Sequence, residues 1–163
     1  MTLSNSTRLD SLKIPFLPRL LEERFGLLYW RSGQPTRELP LTVGDLAHDL
    51  KIDSKEIGIR LKNLSNETRD IFIDKALFFQ LEECASTKIL DVSPHGATSP
   101  KISKKSIQLG DVHFAALLPE LKKAEKVMTT SSDEGRSVSA ALYLRSLGIK
   151  AFSLRTTDGI HNG

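Results

Sequence analysis

Short apolar runs alternate with helical patterns through the second half of this chain, and that alternation limits the architectures open to it. The runs "KILDV", "KVMTT" and "KAFSL" are short for helices and are bounded by polar residues. Helical patterns lie between them along the chain. Continuous apolar strands are typical of parallel sheets that are covered on both faces. The pattern therefore predicts an α/β fold in which helices flank a parallel sheet.

The remaining elements of this half follow from caps and helical spacing. Asp74 is in position to cap the first helix, whose apolar face is expected to hold Leu77, Leu81 and Cys84. The last helix is predicted to end at Gly148, since glycine terminates helices readily. Two further strands and three helices complete the prediction: "DIFI", "SIQL", "KALFFQLEEC", "HFAALLPELKKA" and "SVSAALYLRSLG".

Residues 1–66 have a different pattern, which predicts a small three-helix module. The first helix is marked by leucines at helical spacing, with Trp30 near its end before Gly33 and Pro35 break the pattern. Those leucines are Leu17, Leu20, Leu21, Leu27 and Leu28.

Two short helices joined by the turn "KID" are predicted to follow. Thr42 with Asp45, and Asp53 with Glu56, are spaced as N-terminal caps for them. Their expected apolar faces consist of Val43, Leu46, Ala47 and Leu50 in one helix and Ile57, Leu61 and Leu64 in the other.

This helix pair resembles a helix-turn-helix module over Leu41–Leu64, and also resembles the small helical subdomain of bacterial translation initiation factor 2. Ala47 inside the first helix and Ile57 after the turn match the helix-turn-helix pattern. The resemblance implies that outward side chains of the second helix contact bases and phosphates. Those side chains are Lys55, Arg60, Lys62 and Asn63. The alternative is a module that packs against a protein partner or against the second domain.

Charge and composition limit the other classes of function. The net charge is +3, with ten Lys/Arg against eight Asp/Glu in residues 1–66 and thirteen against twelve in residues 67–163, so neither half is a strongly basic domain. The basic segment "PKISKKS" is interpreted as a solvated loop. A single cysteine excludes an internal disulfide framework. With neither a membrane span nor a secretory signal in the sequence, we expect a cytoplasmic protein with no membrane partner.

Residues 69–163 resemble the rhodanese family through five segments in the family's order. Asp91 occupies the position of the aspartate in the family's "IDVR" strand, and Lys101 replaces the histidine of the "GHIPGAINL" segment. The resemblance implies a rhodanese-like parallel sheet flanked by helices. The five segments are "IFIDKALFFQLEE", "ILDVSP", "SPKISKKSIQL", "SSDEGRSVSAALYLRSLG" and "TTDGI".

In this family a cysteine thiolate carries a persulfide, and the resemblance places the cysteine position on Ser131. A serine hydroxyl cannot form a persulfide and is far less ionised near neutral pH. Asp133 and Glu134 add negative charge to a loop that holds an anion in the family. We therefore interpret the loop as vestigial, with no catalytic residue, metal site or cofactor. It consists of Ser131, Ser132, Asp133, Glu134, Gly135 and Arg136.

Two residues near this pattern have competing interpretations. Arg136 is either an anion-binding guanidinium or, in the favoured interpretation, the partner of Asp133, Glu134 or Asp91 in a salt bridge that holds the loop closed. Cys84 is expected to be a small buried side chain rather than a redox centre.

The sequence thus favours a catalytically inactive regulator or interaction protein. Its helical module would bind duplex DNA, RNA or a protein, its α/β domain would recognise a partner of unknown identity, and a homodimer is compatible with the apolar first helix. The alternatives are an adaptor without nucleic-acid contact, and an atypical sulfurtransferase or hydrolase that acts through Ser131 or Ser132.

Overall fold

A computed structural model describes two compact units of this chain. The chain passes from the first unit to the second between Arg69 and Asp70. The described residues are 3–25, 30–31, 34–35, 40–93, 103–109 and 114–155, with the backbone alone at 25, 30–31 and 34–35. None of the helices in these ranges has both the length and the apolar character needed to cross a bilayer.

The first unit is helical. Its first α-helix is shorter than the sequence predicts, because it ends at Phe25, directly before Gly26, and Trp30 begins a strand instead of ending a helix. Leu27, Leu28 and Gly33 lie outside the described residues. The described elements are a 3₁₀ helix at Leu9–Leu12, α1 at Leu17–Phe25, an antiparallel pair of strands β1 at Trp30–Arg31 and β2 at Gln34–Pro35, α2 at Val43–Leu50, and α3 at Ser54–Glu67.

Helices α2 and α3 begin at the caps that the sequence predicts. The Thr42 hydroxyl accepts the Asp45 N–H at 3.2 Å, and the Asp53 carboxylate accepts the Lys55 N–H at 2.9 Å. Lys51, with φ of 55°, ends α2 in the left-handed region and begins the turn into α3. The predicted apolar faces are confirmed, apart from the half-buried Leu50: the buried residues are Val43, Leu46, Ala47, Ile57, Leu61 and Leu64.

An N-terminal segment lies along the start of α2, which no local pattern in the sequence predicts. The Gly44 N–H donates to the Asn5 carbonyl at 2.9 Å, and the Val43 N–H donates to the Thr7 carbonyl at 2.9 Å. These bonds use two of the N–H groups that the first turn of a helix leaves without an intrahelical acceptor.

The second unit confirms the predicted α/β fold. Five parallel strands form one sheet in the order β3-β7-β6-β4-β5, and helices flank it. The elements in chain order are β3 at Phe72–Ile73, α4 at Lys75–Glu82, β4 at Thr87–Asp91, β5 at Ile107–Gln108, α5 at Phe114–Lys123, β6 at Lys126–Thr130, α6 at Glu134–Ser146, and β7 at Ala151–Leu154.

The apolar face of α4 differs from the prediction. Asp74 caps the helix as expected, since its carboxylate accepts the Leu77 N–H at 2.8 Å. Phe78 is the fully buried side chain of α4, however, while Leu77 is 45% exposed and Cys84 is exposed beyond the helix end. Phe78 and Leu81 are three residues apart and therefore form an alternative helical face. The core cluster around them consists of Ile73, Phe78, Ile89, Met128 and Leu154.

Helix α6 ends as predicted at Gly148, whose φ is 84°. The Gly148 N–H donates to the Arg145 carbonyl at 3.0 Å, and the Ile149 N–H donates to the Leu144 carbonyl at 3.1 Å. These two bonds form a Schellman motif, which requires the left-handed conformation that glycine adopts without strain.

Candidate functional site

The loop between β6 and α6 lies at the carboxyl edge of the sheet, where α/β folds place their ligand crevices. Strand β6 ends at Thr130, and α6 begins at Glu134. Asp91 at the end of β4 pairs with Thr130, and the Val92 N–H donates to the Thr130 carbonyl at 2.8 Å. The residues that follow β4 therefore lie beside the loop.

Two backbone N–H groups of this loop donate hydrogen bonds to serine hydroxyls of the same chain. The Ser132 N–H donates to the Ser93 hydroxyl at 3.1 Å, and the Asp133 N–H donates to the Ser131 hydroxyl at 3.0 Å. Ser131 is 8% exposed, so its hydroxyl lies within the turn rather than on the surface. Amides that would stabilise an external anion thus already have acceptors from within the chain.

The two acidic residues of the loop stand at the start of α6. Asp133 is the N-cap residue, and its side chain accepts the Arg136 N–H at 3.4 Å. Glu134 occupies the first turn and is 9% exposed. Negative charge at a helix N-terminus interacts favourably with the helix dipole. These carboxylates therefore contribute to the stability of α6, in addition to repelling an external anion.

Arg136 does not form the predicted salt bridge. Its Nε donates to the backbone carbonyl of Val92, and it makes no ion pair with any residue in the described ranges. Asp91 instead accepts the Ser93 N–H at 2.9 Å. The carbonyl that Arg136 binds lies just past the end of a strand, where the sheet ladder no longer supplies a donor. The Arg136 side chain thus holds the loop to the backbone just after β4, and it does so by a hydrogen bond to a carbonyl rather than by an ion pair.

A buried polar network supports the loop from below, and sequence analysis missed it. The Ser137 hydroxyl lies 2.6 Å from the Ser153 hydroxyl and also donates to the Glu134 carbonyl at 3.0 Å. The Thr129 hydroxyl donates to the Ser137 carbonyl at 2.7 Å. The available signal was the presence of hydroxyl residues within the otherwise apolar runs "KVMTT" and "AFSL". The network fixes the first turn of α6 to β6 and β7.

Cys84 lies at the opposite edge of the sheet and is not the small buried side chain that was expected. It follows α4 and precedes β4, whereas the loop follows β6, which pairs in parallel with β4. The length of a five-residue strand, about 16 Å at 3.3 Å per residue, therefore separates the two along the sheet. The Lys105 ammonium binds the Cys84 carbonyl at 2.9 Å and the Glu82 carbonyl at 2.6 Å, so this lysine of the basic segment is tied to the end of α4.

In the helical unit, the structure places all four predicted nucleic-acid contacts on the exposed surface of α3. An α-helix turns about 100° per residue, so Lys55, Lys62 and Asn63 fall within an arc of about 100°. This arc lies opposite the buried face. Around the helix axis, Arg60 lies about 160° from Lys62. The Arg60 Nε is 2.8 Å from a carboxylate oxygen of Glu56. Three of the four side chains thus share one face, and Arg60 belongs to a flank.

Within the described ranges, no group of three His, Cys, Asp or Glu side chains is arranged to hold a metal ion. His48 is exposed on α2, while His95, His113 and His161 lie outside those ranges, as do Lys101 and the segment "TTDGI".

Comparisons with known proteins add little to this description. No protein-family model matches the chain, and no curated protein matches it. Among solved structures, a protein from Lactobacillus plantarum determined by a structural genomics consortium aligns with 18% identity and a TM-score of 0.32, over 63% of this chain and 100% of that one.

Proposed function

We propose that the α/β unit is a non-catalytic recognition module of rhodanese-like ancestry, and that it works with the helical unit in a regulatory protein. The observation that carries the proposal is the closure of the 131–136 loop by side chains of the same chain. The Ser93 and Ser131 hydroxyls accept the N–H groups of Ser132 and Asp133, and the Asp133 carboxylate accepts the Arg136 N–H in the first turn of α6. These hydrogen bonds use N–H groups that a reaction site would direct at a substrate, which favours a binding surface over a reaction site.

The competing enzymatic functions have specific requirements at the same loop. A sulfurtransferase needs a thiolate, and the chain's single cysteine lies at the other edge of the sheet. A serine hydrolase needs a base within hydrogen-bond distance of Ser131 or Ser132. In the described ranges, the hydrogen bond of the Ser131 hydroxyl is with the Asp133 N–H, which is a donor and not a base.

Sulfur transfer from thiosulfate to cyanide tests the proposal directly. We expect the wild-type protein to release no thiocyanate above the uncatalysed background. Ser131→Cys in a Cys84→Ser background is the matched variant, and it should not gain thiocyanate release, because the loop N–H groups already have acceptors and Asp133 and Glu134 repel thiosulfate. Thiocyanate release by the wild-type protein would contradict the proposal.

Recognition at this loop is tested with a partner captured from the source cell. Ser132 is exposed and projects from the loop, so Ser132→Arg should abolish capture without disturbing the core. Lys104→Ala is the control, because Lys104 is exposed before β5 and lies away from the carboxyl edge. Equal loss with both variants would argue against the loop as the recognition surface.

For the helical unit we propose binding of duplex DNA through α3. The supporting observation is that Lys55, Lys62 and Asn63 are exposed on one face, while the nearby Glu56 carboxylate is paired with Arg60. Residues 51–53 join α2 to α3, and this three-residue turn has the length found in helix-turn-helix modules.

Salt dependence of DNA binding tests this second proposal. Lys62→Ala should weaken binding and lower the slope of log affinity against log salt by about one, as expected for a lost phosphate contact. Lys150→Ala is the matched control, since it removes the same charge from an exposed lysine of the α/β unit, and it should leave the slope unchanged. Absence of duplex binding at low salt would favour the adaptor function.

A further inference from the structure

The exposed face of α3 contains an apolar side chain that is not part of the hydrophobic core. Ile59 is 51% exposed, although it stands in the middle of the helix between buried residues on the other face. Asn63 follows one turn later and is also exposed, and its side-chain amide bonds to no residue in the described part of the chain. Neither side chain contributes to the core, so both are available to a partner.

Ile59 and Asn63 are one helical turn apart and share the exposed face of α3. Four helical residues rise about 6 Å, so the two side chains can reach different base pairs of one site. Lys55 and Lys62 lie on the same arc as Ile59 and Asn63 and can reach the phosphates that flank such a pair of positions. The face therefore combines two side chains for base edges with two cations for the backbone.

The chemistry of Ile59 and Asn63 selects one kind of base pair. An asparagine amide binds the N6 and N7 atoms of adenine with two hydrogen bonds, and an aliphatic side chain packs against the methyl group of thymine. Guanine and cytosine offer neither the N6 donor beside N7 nor the methyl group in the major groove.

We infer that α3 reads A·T base pairs in the major groove, with Asn63 binding adenine and Ile59 contacting the thymine methyl group. This inference rests on the proposed binding of duplex DNA. It adds a base preference that the lysines alone would not produce, since phosphate contacts carry no sequence information directly.

The test compares the affinity of the full-length protein for alternating A–T and alternating G–C duplexes of equal length. We expect about fivefold tighter binding to the A–T duplex, which is the lower end of discrimination by a bidentate contact. Replacement of thymine by uracil removes the methyl group, and replacement of adenine by 7-deazaadenine removes N7. Each replacement should reduce the preference for A·T, and minor-groove binding would be insensitive to both.

Variants assign each contact to its residue. Ile59→Ala should become insensitive to uracil replacement, and Asn63→Ala should become insensitive to 7-deazaadenine. Lys62→Ala is the control and should weaken binding to both duplexes equally. Equal affinity of the wild-type protein for the two duplexes would overturn the inference and leave DNA binding intact. Failure to bind either duplex would overturn the inference together with the proposed DNA-binding function.

Discussion

Two glycines in the helical unit give opposite predictions for the same substitution. Gly58 lies inside α3, and a Cβ at this position would be 3.7 Å from the Leu3 Cβ, which is ordinary van der Waals contact. Gly58→Ala should therefore raise the free energy of unfolding by about 1 kcal/mol, which is the helix-propensity difference between the two residues. For a unit of this size the melting temperature should rise by about 4–8 °C.

Gly44 is the matched control in α2. A Cβ there would lie 3.0 Å from the Asn5 Cβ and 3.1 Å from the Asn5 carbonyl oxygen. That oxygen also accepts the Gly44 N–H at 2.9 Å, so it cannot retreat without loss of the hydrogen bond. We expect Gly44→Ala to destabilise the helical unit by about 1–3 kcal/mol, as overpacking does elsewhere.

Fluorescence of Trp30 during urea unfolding measures both effects. Trp30 is the only tryptophan of the chain and belongs to the helical unit, so its signal reports that unit. Gly58 is buried beside Leu3 and exposes no surface to a ligand, so Gly58→Ala should leave DNA affinity unchanged. Destabilisation by Gly58→Ala, or no change with Gly44→Ala, would refute the assigned packing of the N-terminal segment.

Three further predictions concern the α/β unit and are measured by urea unfolding followed by circular dichroism. Ser137→Ala should cost about 1–3 kcal/mol, because the buried Ser153 hydroxyl loses its hydrogen bond to Ser137. Ser153→Ala should cost less, because the Ser137 hydroxyl still donates to the Glu134 carbonyl, and the double variant should cost less than the sum of the two; strict additivity would contradict the 2.6 Å contact. Asp74→Ala should cost about 1 kcal/mol through loss of the α4 cap, whereas Asp74→Ser should be near neutral. Arg145→Met should cost about 1–3 kcal/mol, because Arg145 Nε donates to the Ala151 carbonyl at 2.8 Å; a neutral effect would show that this bond contributes nothing net.

Arg145 also shows how burial acts on a charged group in this fold. Desolvation lowers the pKa of its guanidinium, and the nearby Asp70 carboxylate opposes that shift. An arginine remains charged despite such a shift, so the half-buried cation depends on its carbonyl partners. Its Nη2 reaches the Asp70 carbonyl at 3.3 Å, and its guanidinium lies 5.2 Å from the Phe152 ring centroid.

Sequence reasoning succeeded where the determinants were local. Thr42, Asp53 and Asp74 cap helices because a cap depends on residues two or three positions away, and Gly148 ends α6 for the same reason. The strands of the sheet could be predicted from the sequence because a strand buried on both faces consists of continuous apolar residues.

It failed where a choice depended on distant residues. The apolar residues of α4 allow two helical faces, and contact with the sheet selected the face with Phe78 over the one with Leu77. Arg136 had three acidic candidates, but the chain fold brought the Val92 carbonyl to it from 44 residues away. The hydrogen bond from the Ser132 N–H to Ser93 spans 39 residues and leaves no local pattern.

In the loop between β6 and α6, hydroxyls of the same chain accept hydrogen bonds from the backbone N–H groups. In a loop that binds an anion, the anion accepts those hydrogen bonds instead. An external anion at this turn would have to displace the hydroxyls of Ser93 and Ser131 from the two N–H groups, and each such hydrogen bond contributes about 0.5–1.5 kcal/mol net. It would also have to approach the carboxylates of Asp133 and Glu134 at the helix N-terminus. Those carboxylates already interact with the helix dipole that would attract the anion. The N-terminus of α6 thus contributes to the stability of the loop, and the exposed residues of the loop are Ser132, Asp133 and Arg136.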